Sequence, residues 1–268
     1  MDFVHTSTTK SAFLSMSPGR SALVALAPHL AQCVWRGDAL GAAPVRAIPS
    51  GYAALDAQLP GGGWPRQSLT EVLQSQHGVA EWRLLLPGLA PWLDEDHPLI
   101  AIGCPHEPYF PGLRQAGVKP GHLIWVRAQA QAQCLWATEQ AIKSVGPGAV
   151  LAWLPHARAE QIRRLQAHAL AYEGPVFLMR PSTARLEASA APLRVSVSPL
   201  SPWHLGVSIL KRRGAAHEGV IDLRSIPSRL GTAVPARQRS PTVLSETGAQ
   251  QSGYAVLAGT SHAVDVGL

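Results

Sequence analysis

Five short apolar runs mark the middle of the chain, at 68–73, 99–103, 123–127, 149–154 and 176–179, each bounded by Gly, Pro or charge. Runs of this length with such borders predict buried strands. Between them the period changes. Ala159, Ile162, Leu165, Ala169 and Tyr172 recur at threes and fours, which is one face of an amphipathic helix, and Ala132, Leu135, Trp136 and Ile142 mark another. Strands alternating with helices predict an α/β fold, a mostly parallel sheet flanked by helices on both faces.

After Arg180 the alternation stops. Segments 193–197, 203–210 and 219–223 follow one another without helical spacers and read as antiparallel strands at the C-terminal edge of the sheet. The small residues of 182–191 predict a mobile linker loop. Residues 1–20 carry no period and are expected to be disordered. A short helix is expected over 23–35, and 44–49 reads as a linker into the core. The expected organisation is a disordered start (1–20), an N-terminal helix and linker (21–49), one folded domain (50–228) and a disordered tail (229–268), of a kind that often docks partners.

Composition narrows the class. The 268 residues suffice for one core of about 200 residues plus tails. No apolar run approaches the roughly 18 residues needed to cross a bilayer, and no basic leader precedes an apolar stretch, so neither a membrane span nor a signal peptide is expected. Three widely spaced cysteines, Cys33, Cys104 and Cys134, argue for a reducing compartment rather than a disulfide framework. The expected location is the cytoplasm. The net charge of +6 is uneven: residues 201–240 hold seven basic side chains against Glu218 and Asp222. Such a concentration fits a nucleic acid or acidic partner, and equally a solvated surface.

The chemistry-bearing segment is SGYAALDAQLPGGGWPRQSLTEVLQSQHGVAEWRLLL at 50–86. Ser-Gly-x-x-x-Leu-Asp, a Gly-rich turn, a strand and then a helix resemble the start of a RecA-type ATPase core. There a Gly-x-x-x-x-Gly-Lys-Ser/Thr loop follows the strand; its amides cradle phosphates, the Lys meets the terminal phosphates and the hydroxyl holds magnesium. The matching positions here are Gln74, Ser75, Gln76, His77, Gly78, Val79, Ala80 and Glu81. Ala80 stands for the Lys and Glu81 for the hydroxyl, and Gly78 is out of place. The resemblance continues through 99–142, where an ungapped count puts Pro105 at the catalytic glutamate, with Glu107 two residues on. The strand at 149–154, with Pro155 after it, reads AVLAWLP and lacks the magnesium-organising aspartate. The resemblance therefore implies a RecA-like fold without catalytic residues: a pseudo-ATPase with no cofactor.

Four segments together resemble the ImuA family: HLAQCVWRGDALG at 29–41, SGYAALDAQLPGGGWPRQSLTEVL at 50–73, VLAWLPHARAEQIRRLQ at 150–166 and ILKRRGAA at 209–216. The similarity covers roughly 23–225. It implies an SOS-induced, non-catalytic accessory of mutagenic translesion synthesis. Its implied partners are RecA, an ImuB-like Y-family polymerase homologue and, through the complex, an error-prone replicative-type polymerase, with location at the nucleoid during repair. That family is also compared with the division inhibitor SulA, so a division-inhibitor reading stays open, as does a divergent ATPase using Arg66, Arg83 or a partner's residues.

Among other candidates, Lys211, Arg212 and Arg213 close a strand where RecA-type proteins carry lysines that reach a neighbouring subunit; they would contact such a neighbour or DNA phosphates. Arg163 and Arg164 lie off the apolar face of their helix, after a loop reduced to Pro155-His156-Ala157, and read as DNA contacts or as a solvated face. Asp94, Glu95, Asp96 and His97 with Cys104, His106 and Glu107 lack the paired spacing of a zinc centre, so no metal is expected. Of the eight tryptophans, Trp82, Trp92, Trp125, Trp136 and Trp153 are expected in the core. Trp35, Trp64 and Trp203 border turns and are candidate partner anchors.

Overall fold

A computed structural model describes residues 45–226 apart from Glu95, Val145 and Pro147. The expected disordered ends, the helix at 23–35, Trp35 and Cys33 lie outside the described residues. Among the described residues, ten strands and five α-helices follow in chain order: β1 (Ala47–Ile48), α1 (Ala53–Asp56), β2 (Trp64–Pro65), β3 (Ser68–Gln74), α2 (Glu81–Leu89), β4 (Leu99–Ile102), α3 (Phe110–Gln115), β5 (Leu123–Val126), α4 (Gln131–Lys143), β6 (Ala149–Trp153), α5 (Ala159–Ala169), β7 (Pro175–Pro181), β8 (Leu193–Ser201), β9 (His204–Lys211) and β10 (Ile221–Arg224). Eight strands form one sheet in the order β10-β9-β8-β3-β7-β6-β4-β5. No helix among the described residues is long and apolar enough to cross a membrane.

The α/β expectation holds, with a mostly parallel sheet. The first of the three late strands differs in detail. β8 runs parallel to β3, pairing Glu71 with Arg194 and Val72 with Val195, and only β9 and β10 turn antiparallel. β3 is the central strand, buried along its whole length and flanked by β7 and β8. Two strands separate it from β4, unlike the doubly wound order in which the first two strands are neighbours.

Alternation along the strands serves two cores. Leu84, Leu85 and Leu89 of α2 pack with Val72, Phe177 and Val195 on one face. On the other, Leu135 and Ile142 of α4 and Ile162 and Leu165 of α5 pack with Leu69, Val150 and Leu178. Leu69 and Val72 thus anchor opposite faces, as the pleat requires for odd spacing.

The Ser-Gly-x-x-x-Leu-Asp segment earns its residue types structurally. Asp56 Oδ1 accepts the Ser50 N–H at 2.8 Å, Ser50 Oγ accepts the Tyr52 N–H at 3.2 Å, and Leu55 is fully buried. Gly51 sits at φ +84°, where a Cβ would lie 2.6 Å from Cβ of Pro87. Pro87, inside α2, has no N–H for the carbonyl of Arg83. The Tyr52 hydroxyl donates to that oxygen instead, at 2.7 Å.

Four further expectations are corrected. The linker at 44–49 contains β1, whose Ala47 and Ile48 pair antiparallel with Pro65 and Trp64. Segment 182–191 is ordered: it begins with a 3-10 turn, Ser182–Leu186, and buries Ala184 and Ala191, whose small side chains let it lie against the sheet. Trp64 is wholly buried, edge-on to Phe177 at 5.5 Å, and is no exposed anchor. Trp136 is 65% exposed, because the buried face of α4 is set by Cys134, Leu135, Thr138 and Ile142 and turns the indole outward.

Candidate functional site

The eight positions from Gln74 to Glu81 join the end of β3 to the start of α2. A helix start offers free backbone N–H groups and a positive dipole end, and so attracts an anion. Here the anion is internal. Glu81, fully buried, accepts the Gly78 N–H on Oε1 at 2.7 Å and the Ala80 N–H on Oε2 at 3.2 Å. The indole N–H of Trp153 donates to the same Oε1 at 3.3 Å. Gly78 adopts φ +83°, with His106 3.1 Å from where a Cβ would stand. Gln74, almost wholly buried, places its amide nitrogen 3.3 Å from Nδ1 of His77. Val79 belongs to the same turn and Ala80 flanks the helix as its cap. The loop amides that would cradle a phosphate are occupied by the chain's own carboxylate.

The surroundings complete that closure. Trp153 ends β6, the strand whose end lacks the expected aspartate, and its ring packs on Trp82 at 5.6 Å between centroids. Cys104 follows β4, and burial, with Glu81 adding a smaller electrostatic push, raises its thiol pKa to about 12. Glu107 is at the surface, 3.8 Å from Arg127, which lies over Trp125. Asp94 Oδ1 accepts the N–H groups of Asp96 and His97 and faces Nδ1 of His97 at 2.7 Å, an arrangement that holds the turn before β4 and pulls the Asp94 carboxyl below its ordinary range.

A second charged centre was missed by sequence reasoning. Glu71, in the middle of β3 and fully buried, meets Arg180 of β7 (Nη1 to Oε1, 3.2 Å) and Nε of Arg194 of β8. The two guanidiniums reach onward. Arg180 Nη2 donates to Ala157 O at 2.9 Å and to Glu187 at 2.7 Å, and Arg194 donates to Ala184 O at 2.7 Å and Glu187 O at 3.1 Å. The triad therefore ties segment 182–191 to the central strand. A charge inside an otherwise apolar run was the available signal.

The basic candidates lie elsewhere. β9 is antiparallel to β8, so Lys211, Arg212 and Arg213 leave the sheet at its N-terminal end, away from the loop at 74–81. Lys211 Nζ donates to Ser189 O at 2.9 Å, Arg212 bonds Ala215 O at 2.6 Å and the carbonyl of Gln58, and Arg213 is exposed. On α5, Arg164 pairs with Glu139 and Arg163 is exposed. The structure does not bring these two groups to the loop. Arg83 donates to Ser225 Oγ at 2.5 Å, and Arg66 is held by Glu173 at the start of β3, the opposite end from the loop.

No family model matches the chain. Over 110 residues it is 33% identical to a protein described as cell division inhibitor SulA, from Edwardsiella piscicida. The match covers 41% of this chain and 66% of that protein, so the chain spans just under two-thirds of its relative.

Proposed function

We propose that this chain is a RecA-like but non-catalytic accessory of the response to DNA damage, acting in mutagenic translesion synthesis by contact with RecA and an ImuB-like polymerase homologue. The observation that carries the reading is Glu81: a carboxylate on the Gly78 and Ala80 amides stands where a phosphate would sit, and it repels one. Ala80 in place of a Lys, and Trp153 at the end of β6 in place of an acid, support the same conclusion. The central placement of β3 and the antiparallel β9–β10 edge support a RecA-like ancestry for the fold.

The test is co-purification of the full chain with RecA and, separately, with the ImuB-like protein. Retention by either, unchanged by ATP, is expected; retention by neither contradicts the proposal. A second reading has its own support in the SulA likeness: inhibition of division through the tubulin-like division protein. Filamentation on overexpression together with direct binding to that protein selects it over the first.

A further inference from the structure

A groove of about 220 Å³ opens at the N-terminal end of the sheet, far from the closed loop. Pro60, Pro65, Pro192 and Leu170 give it apolar walls, and Arg46, Arg66 and Arg213 give it charge. Arg66 is already committed, with its Nε 2.5 Å from Glu173 O and its Nη2 3.9 Å from the Glu173 carboxylate. Arg46 and Arg213 are exposed and have no acidic partner within 4 Å among the described residues.

The residues beside Arg213 build the site. Arg212 binds the carbonyl of Gln58, two residues before the Pro60 wall, and Lys211 binds Ser189 O, three before the Pro192 wall. The KRR run thereby clamps both walls and leaves Arg213 between them. In the lining, Gln67 holds φ +55°, a conformation that a non-glycine residue adopts at a cost and that clusters at ligand sites.

Two uncommitted guanidiniums call for oxyanions. The lining contains no aromatic ring on which a nucleobase could stack, whereas its prolines and Leu170 match aliphatic side chains. We propose that this groove binds an extended acidic peptide of a partner protein, with carboxylates on Arg46 and Arg213 and aliphatic side chains on the proline walls. The inference rests on the groove alone and holds whichever partner uses it.

The probe is a fluorescein-labelled hexapeptide of alternating Leu and Glu, titrated against the full chain by anisotropy. Saturable binding is expected to weaken at least tenfold in R46S/R213S, and to vanish when Gln replaces Glu in the peptide. R114S/K119S removes the same charge from exposed residues outside the groove and is expected to bind as wild type. Thermal melting checks that R46S/R213S remains folded. No saturation by about 1 mM peptide, or equal weakening by the two double variants, overturns the proposal. Labelled oligo(dT) whose binding depends on Arg46 and Arg213 while the peptide does not bind overturns it in favour of nucleic acid.

Discussion

Single side chains in this protein answer for defects that the sequence creates. Pro87 strips the Arg83 carbonyl of its helical donor, and Tyr52 from another element supplies one. Tyr52→Phe is expected to lower stability by about 1 kcal/mol, the net worth of a hydrogen bond whose acceptor is left dry, read as a shift in the urea midpoint. The same burial governs titration. Burial raises the Tyr52 hydroxyl and the Cys104 thiol to about 12, above their ordinary 10.0 and 9.0. Both folded values exceed the unfolded ones, so their stabilising contribution is complete below pH 9 and is lost as pH rises from there toward 12. Urea midpoints measured through that range should fall. Native Cys104 should also resist thiol reagents at pH 8 in a Cys33→Ser background and react once denatured; prompt native labelling would contradict this account.

Elements are joined by a buried charge network as well as by apolar packing. Glu71→Ala leaves two guanidiniums without their shared carboxylate and is expected to cost about 3–5 kcal/mol. Because Arg180 and Arg194 also hold the carbonyls of 157, 184 and 187, limited proteolysis should then cut first within 182–191. Cleavage elsewhere, or an unchanged midpoint, would show that the triad does not order that segment. This is also where sequence reading stopped. Apolar runs bounded by Gly, Pro or charge located the eight sheet strands, and the signal is most continuous in β3, β6 and β7, which are buried on both faces. Segment 182–191 looked mobile because its order comes from Glu71, Arg180 and Arg194, which are distant in the chain and meet only when β7, β3 and β8 align. Trp136 was expected inside for its apolarity, but the buried face of its helix runs through Cys134, Leu135, Thr138 and Ile142, and position 136 falls beyond the edge of that face.

At the scale of the whole molecule, the loop at 74–81 is closed by the chain's own carboxylate. The departures of 74–81 and 149–154 from the ATPase pattern were legible in the sequence. What fills the gap was not, because Trp153 reaches Glu81 only through the sheet order. The one local hint was an acid at the first position of a helix, where the dipole favours it. The central proposal is that Gln74–Glu81 receives no triphosphate, and calorimetric titration of the full chain with magnesium-ATP tests it most directly. The account predicts no saturable heat. Saturable, magnesium-dependent binding would contradict it, because the nucleotide would then have displaced the Glu81 carboxylate from the amides it now occupies.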